Sequence, residues 1–316
     1  MIVYTTLLEA KEGIDSCAAA LGNFDGVHKG HQALISACVS SAKEQGISSV
    51  VFTFLNHPLN EIAGKCVVRS IMTLKEKAEA VEALGADIMV AVPFNEEIRK
   101  SSPEEFVRSV LVDSLSAKQA FCGFNYSFGY KGEGDPARLT ELGHKYGFAV
   151  SVMDEFDIDG KAVSSTRIRE SLAAGDVESF EKLSGRRYCI SGKVIPGEHF
   201  GRKMGFPTVN LSLNHDMALP ANGVYITYIY VNGDQFRSVT NVGNKPSVGM
   251  FAKNAETHIF DFSGDLYGED IKVEFVKMMR PEMKFGSLDD LSRQIEKDCM
   301  EAKLFHEQNS RVRGSF

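Results

Sequence analysis

The sequence predicts two unlike halves: a mostly parallel α/β sheet through about residue 183, then an antiparallel barrel or sandwich of strands closed by one helix. Three observations carry this. Short apolar runs alternate with helical periodicity through about residue 180, strands follow one another across glycine turns from about residue 186, and 316 residues exceed what one hydrophobic core usually serves.

In the first half, CAAALGNF (17–24) reads as a buried strand and the first of the sheet, followed by a helix over 31–46 that ends at Gly46. SSVVFTFL (48–55) is the next strand. TLKEKAEAVEALGA (73–86) is an amphipathic helix capped by Thr73, with Glu76 completing a capping box, and DIMVAVPF (87–94) returns as a strand. Ser102 stands before a proline at the first position of a helix over 102–115, and AKQAFCGF (117–124) is one more strand. Residues 135–147 and 148–156 continue the alternation. Such units build a parallel sheet whose ligands lie beyond the carboxyl ends of its strands. Residues 175–187 form a helical tail at the seam. In the second half, 187–194, 223–231, 236–243, 256–262 and 271–279 are rich in β-branched and aromatic residues, and 287–305 is an amphipathic helix started by Ser287.

Composition narrows the function classes. A net charge of −7 argues against a general nucleic-acid or anionic-membrane binder, so anionic substrates need local cations or a metal. No apolar run approaches membrane-spanning length, and the opening residues carry Glu9 early, without the pattern of a secretory signal. Cys17, Cys38, Cys66, Cys122, Cys189 and Cys299 form no CxxC pair, which suits free thiols in a reducing cytoplasm.

GNFDGVHKGHQ (22–32) falls at a strand-to-helix junction. His28 and His31, three apart, share a helix face with Cβ atoms about 5–6 Å apart. There, unpaired backbone N–H groups and the helix dipole favour an anion. Gly22, Gly26 and Gly30 let a phosphate approach, and two imidazoles donate hydrogen bonds to it. The ordinary alternative is a turn capped by Asp25 with surface histidines. SSTRIRESL (164–172) supplies three hydroxyls and two arginines at a helix start, a grip for a triphosphate or else a plain N-cap. FLNHP (54–58) and GFNYSFGYKGEGD (123–135) interleave glycines with aromatics that stack a flat ring or simply pack a loop. GEHFGRKMGFPTVNL (197–211) combines a glycine loop, two cations and a Pro-Thr turn. Its Thr208 hydroxyl and Asn210 amide oxygen are hard donors of the kind magnesium accepts. No GxxxxGK[ST] occurs, so an ordinary P-loop is excluded.

Together the 22–32, 54–58, 123–135 and 164–172 stretches resemble the FMN adenylyltransferase module of prokaryotic bifunctional riboflavin kinase/FAD synthetases. The histidine motif alone marks the wider HxGH nucleotidyltransferase superfamily, with a Rossmann-like α/β domain. NVGNKPSV (241–248) and 255–275, with the 197–211 loop, resemble the riboflavin kinase module, a small antiparallel β-barrel with a C-terminal helix. The resemblance runs from about residue 15 to about 305. It implies a kinase that makes FMN from riboflavin and a nucleotidyltransferase that makes FAD from FMN, with ATP as co-substrate, Mg2+ as cofactor, and ADP and pyrophosphate released. It further implies that Gly22, Asn23, Phe24, Asp25, Gly26, His28 and His31 hold and polarise the ATP phosphates, against Ser164, Ser165, Thr166 and Arg167. Flavin contacts fall to His57, Pro58, Asn125, Tyr126 and Phe128 in the first half, Asn125 lying near the reacting phosphates. In the second, Gly201, Arg202, Lys203 and Gly205 take phosphate, Asn241 and Gly243 flavin, Thr208 and Asn210 the metal, and Glu256 is the catalytic base. The chain departs from the family in carrying Asn125 and Tyr126 where many members have Asp-Phe, Asn56 where they have proline, and Val209 within the commoner Pro-Thr-Ala-Asn. The expected domains are 1–183 and 184–316, in a cytoplasmic protein of undetermined oligomeric state.

Overall fold

The computed structural model describes residues 1–196, 206–214, 216–247 and 250–310. The chain divides into two compact units, Met1–Ser165 and Thr166–Phe316.

The first unit contains strands β1 (Ile2–Tyr4), β2 (Cys17–Leu21), β3 (Ser48–Phe54), β4 (Ile88–Val92), β5 (Ala117–Gly123) and β6 (Ala149–Met153). They form one sheet in the order β1-β4-β3-β2-β5-β6, every neighbouring pair parallel. Helices α1 (Leu7–Gly13), α2 (Lys29–Gln45), α3 (Pro58–Ala63), α4 (Leu74–Glu82), α5 (Glu96–Lys100), α6 (Pro103–Phe106) and α7 (Pro136–Tyr146) connect them. All five residues of β2 are buried because both faces of the sheet are covered. Cys17, Ala19 and Leu21 face the core shared with Phe106, Leu111 and Leu139, while Ala18 and Ala20 face the one shared with Ile35, Cys38 and Val81.

The Thr73 and Ser102 capping boxes and the left-handed Gly46 at the end of α2 form as the spacing predicts. The strand at 17–21 is the second in the chain and lies in mid-sheet, because the three-residue β1, too short to show periodicity, takes the edge beside β4. The helix expected over 102–115 relaxes into a π-helical turn at Val107–Val112, where Asp113 N–H donates to Arg108 O. A two-stranded hairpin, β7 (Asp157–Ile158) with β8 (Lys161–Ala162), also lies outside the sequence reading. The strand order reverses between β2 and β5, so a crevice opens at their carboxyl ends. Residues 22–28 and 124–128 leave the sheet at that point.

The second unit begins with α8 (Ser165–Ala173) and α9 (Val177–Ser184). Six antiparallel strands follow: β9 (Cys189–Ile195), β10 (Thr208–Ser212), β11 (Gly223–Val231), β12 (Asp234–Ser247), β13 (Met250–Ile259) and β14 (Asp270–Pro281). Their order, β10-β13-β12-β11-β14-β9, closes where β9 pairs with β10, so the barrel is the correct member of the barrel-or-sandwich pair. The stretch expected as a Pro-Thr turn is strand β10. Inside the barrel, Tyr225 and Phe275 pack edge to face, and Thr227, Ser238, Thr240 and Thr257 hydrogen-bond to one another. The outer face of β11 and β12 is covered by α10 (Leu288–Ser310), whose Cys299 and Ala302 meet Val224, Ile226 and Val239. Alternation along each strand therefore turns Val239, Asn241, Glu256 and His258 toward that helix-covered side.

Candidate active sites

The early site forms where β2 hands over to α2. The backbone turns through Phe24, Gly26 and Val27 at φ of +47°, +86° and +36°. Such angles cost a non-glycine residue of order 1–3 kcal/mol and persist only where the surroundings over-determine them. Here they do. The Phe24 and Val27 side chains are buried, the Asp25 carboxylate accepts the Ile71 N–H at 3.0 and 3.1 Å, and the Asn23 carbonyl accepts from Thr53 Oγ1 at 2.9 Å and Lys77 Nζ at 2.8 Å. Glycine is favoured at position 26 by its φ of +86°, and a Cβ there would also meet Ile71 Cδ1 at 2.9 Å. Ser165 Oγ donates to Asp25 O at 2.7 Å, tying the second motif to the first.

The N-cap of α2 is His28, not Asp25: its Nδ1 accepts the His31 N–H at 3.2 Å. That bond leaves the ring proton on Nε2, since a neutral imidazole carries one. The His31 ring stacks on His28 with centroids 3.5 Å apart and planes 17° apart, closer than the helix spacing suggests. Burial, and then the nearby His28 and Lys77 charges, hold the His31 pKa well below the usual imidazole range. His31 is thus neutral near pH 7 and offers one N–H as a donor, while its buried Nδ1 has no hydrogen-bond partner among the described residues.

Lys77 escaped the sequence reading. Its ammonium is buried, donates to Asn23 O and to Thr53 Oγ1 at 3.2 Å, and burial, opposed by Asp25, lowers its pKa to about 8. The signal was present, because Lys77 occupies an apolar-face position between Leu74 and Val81. A small cavity gathers Asn23, Asp25, Asn56, His57, Ser70 and Lys77, bringing the 54–58 and 22–32 motifs together. His57 caps α3, its Nδ1 accepting from Leu59 N–H, and Pro58 is the first helical residue. Asn125 is exposed beyond β5. Tyr126 and Phe128 stack on each other at 5.6 Å, and Phe128 also meets Phe106, so its ring is committed to the core. Thr166 and Arg167 lie in the first turn of α8, just after Ser165 and preceded by Ser164.

The late site lies on the outer face of the barrel. Register pairs Thr208 with His258, and Asn210 with Glu256; Asn241 pairs with Glu256 from the other side. A cavity of about 300 Å3 is lined by Thr208, Asn241, Glu256, His258, Arg280 and Asp298, among others. Gly243 lies two pairs beyond Asn241, where a Cβ would press on Glu282 Oε1 at 3.2 Å. His258 Nδ1 donates to Pro207 O at 2.8 Å, fixing the approach to Thr208, and burial lowers its pKa. Arg280 Nε lies 3.1 Å from each Asp298 oxygen and its Nη2 2.7 Å from Oδ2, a fork that fixes the far wall. Asn210 is buried, and Asn254 Nδ2 donates to both Asn210 Oδ1 (3.1 Å) and Glu256 Oε1 (3.2 Å). Gly201, Arg202, Lys203 and Gly205 lie outside the described residues.

Family models agree with this division, the FAD synthetase model matching residues 10–167 and the riboflavin kinase model residues 184–306. The chain is 36% identical over 300 residues to the bifunctional riboflavin kinase/FMN adenylyltransferase of Haemophilus influenzae, spanning 95% of this chain and 97% of that one. The chain belongs to the bifunctional riboflavin kinase/FMN adenylyltransferase family. The Bacillus subtilis member is 36% identical over 299 residues, covering 92% of this chain and 93% of its own. A crystal structure described as a macrolide-efflux protein from Streptococcus pneumoniae has the same fold, at 27% identity, a TM-score of 0.87, and coverage of 96% of this chain and 99% of that one. Among the described residues no helix is long and apolar enough to cross a membrane. Within this family frame, the residues that sequence reasoning missed, Lys77, Asn254 and His258, each hydrogen-bond to a motif or to the residue before one. The last two could have been found by stepping two residues either way along the strand from Glu256.

Proposed function

We propose that this chain phosphorylates riboflavin to FMN at the late site and adenylylates FMN to FAD at the early site, using ATP in both steps and working in the cytoplasm, with the activities divided at residues 183 and 184. The observation that carries the reading is the pairing of Glu256 with Asn210 across β10 and β13, beside Thr208 and at the wall of a cavity. A binder of flavin would need neither a carboxylate nor hard oxygen donors there.

At the late site the nucleophile is a neutral primary alcohol, so its proton must be accepted during attack on the γ-phosphorus. Glu256 is that base. Magnesium fits the donor set: Thr208 and Asn210 offer neutral hard oxygens, and Asn254 Oδ1 is a buried acceptor with no partner among the described residues. When bound, the ion would supply charge neutralisation of the ATP phosphates. Thr208 and Asn210 would hold it, Glu256 takes the proton, and the Arg280–Asp298 wall shapes the flavin side.

At the early site the nucleophile is the FMN phosphate, already anionic near neutral pH, so no general base is required. Catalysis is positioning plus charge stabilisation as the α-phosphorus is attacked and pyrophosphate leaves. His28 Nε2–H and the neutral His31 donate to phosphate oxygens, the buried Lys77 supplies positive charge, and Ser165 is held beside the same loop by its bond to Asp25 O. Incubation with riboflavin and Mg-ATP, followed by chromatographic separation of flavins, should yield FMN and then FAD. FMN accumulating without FAD would mean a silent early site, and unchanged riboflavin would end the proposal.

A further inference from the structure

Asn254 sits on β13 two residues before Glu256, opposite Ser212 of β10 and Gly243 of β12, and is buried. Neither its register partners nor its residue type marks it as functional. Its side-chain bonds do. The amide nitrogen faces two oxygen acceptors at once, the Asn210 amide oxygen at 3.1 Å and Glu256 Oε1 at 3.2 Å. An amide NH2 group has two hydrogens, and each is directed at one of these atoms.

The orientation of this amide is therefore fixed by chemistry. Turned over, Asn254 would set its own oxygen against a carbonyl and a carboxylate. It keeps the other orientation although its Oδ1 is then buried with no partner among the described residues. Buried polar groups are normally satisfied, so an orphaned one marks a place where something other than packing has set the arrangement. Asn210 is fixed in turn. Its oxygen, rather than its NH2 group, faces Asn254, so the acceptor side of the amide is the one held in place. An Asn210 free to flip would present N–H groups, which repel a cation.

We infer that Asn254 is a positioning residue of the late site, locking the metal-ligand oxygen of Asn210 and the base Glu256 into one shared arrangement through the two hydrogens of a single amide. The inference rests on the reading of Asn210 and Glu256 given above. It adds that ligand and base are coupled, so that disturbing one amide loosens both. The unpartnered Asn254 Oδ1 is an acceptor for the hydroxyls of a ribityl chain or the water of a hydrated cation.

The test uses the full chain with Asn254→Asp, which keeps the shape and removes both hydrogens, and Asn254→Ala, in case two adjacent carboxylates prevent folding. Riboflavin phosphorylation should lose about 10–100-fold in kcat with the riboflavin KM within about twofold, the signature of an interaction that matters in the transition state. Independently of turnover, calorimetry should find that the tightening of ADP binding by Mg2+ falls several-fold, while ADP affinity without Mg2+ is unchanged. FAD formation from added FMN should match the parent. The inference is overturned if kcat and the Mg2+-dependent ADP affinity stay within about twofold of the parent. It is also overturned if both variants lose FAD formation and melting temperature together, which would make the role structural only. Glu256→Gln, measured in parallel, separates the two claims: a Glu256→Gln protein that still phosphorylates riboflavin would defeat the assignment of the site itself, whereas an inactive one beside a normal Asn254→Ala defeats only the coupling.

Discussion

The early site draws most of its chemistry from one continuous stretch, residues 22–31, whereas the late site assembles Thr208, Asn241 and Glu256 from three strands. The early stretch works because a loop entering a helix gathers consecutive residues around one point, with backbone N–H groups converging there. The late one works because neighbouring strands bring distant residues opposite each other and alternate residues to one face. The two devices also match their nucleophiles. A helix entrance offers donors and fixed positive charge, enough for a phosphate that needs no deprotonation; a strand face holds a carboxylate beside neutral oxygens, which an alcohol needs.

That contrast is open to breakage. The largest effect expected is from Glu256→Gln, which should lower riboflavin phosphorylation by about 10²–10⁴-fold, the usual worth of a general base. FAD formation from supplied FMN should persist, and its loss in a folded variant would dissolve the division of labour. His28→Ala should do the converse, cutting FAD formation by about 10²–10³-fold, the typical cost of losing an oxyanion donor. The same change removes an N-cap, so melting should also fall, by about 1 kcal/mol in stability.

A smaller effect sharpens the comparison. Lys77→Met removes a buried cation from the early site alone and should slow FAD formation by about 10–150-fold, as loss of a charged hydrogen bond of about 1.5–3 kcal/mol implies. Because burial lowers the Lys77 pKa to about 8, its ammonium is present below that pH and is lost as pH rises through it. Parent FAD formation should therefore decline on an alkaline limb near pH 8 that Lys77→Met lacks and riboflavin phosphorylation does not share. A pH profile of both activities in the same samples would decide it.

The smallest effect concerns stability. Burial holds the His31 pKa below the ordinary imidazole value of 6.5, so as pH falls below 6.5 the unfolded chain takes up a proton that the folded chain refuses. Stability is lost from there down to the lowered folded value. His31→Asn should lessen the acid slope of the melting temperature without abolishing it, because His258 and His306 in the barrel unit are lowered by burial as well. An unchanged slope would show that His31 is not desolvated.

Local signals were legible from the chain alone. Thr73, Ser102 and Gly46 ended or began their helices where spacing put them, and the histidine motif stood at a strand-to-helix junction. Other features were not. β1 is three residues of edge strand that only β4 makes visible, and β10 was hidden inside a stretch that its glycines and proline mark as a turn. For Phe128 the sequence left stacking on a flat ring and loop packing both open, and only the fold shows its ring against Tyr126 and Phe106. Lys77 stands at an apolar-face position of its helix by sequence, but only the packing of α4 shows what the cation meets there, the Asn23 carbonyl.

What the sequence by itself determined are the things set within one element or one turn: the periodicities of both halves, the helix caps, and the motif residues whose type and spacing name the two chemistries. The tertiary structure decided which residues serve those motifs from a distance: Lys77 beneath the early loop, Asn254 between Asn210 and Glu256, His258 against Pro207. The reason is geometric. A hydrogen bond is formed over about 3 Å of space, and where its partners are joined only by strand register or by a helix packed on a loop, nothing in their separation along the chain records that they meet.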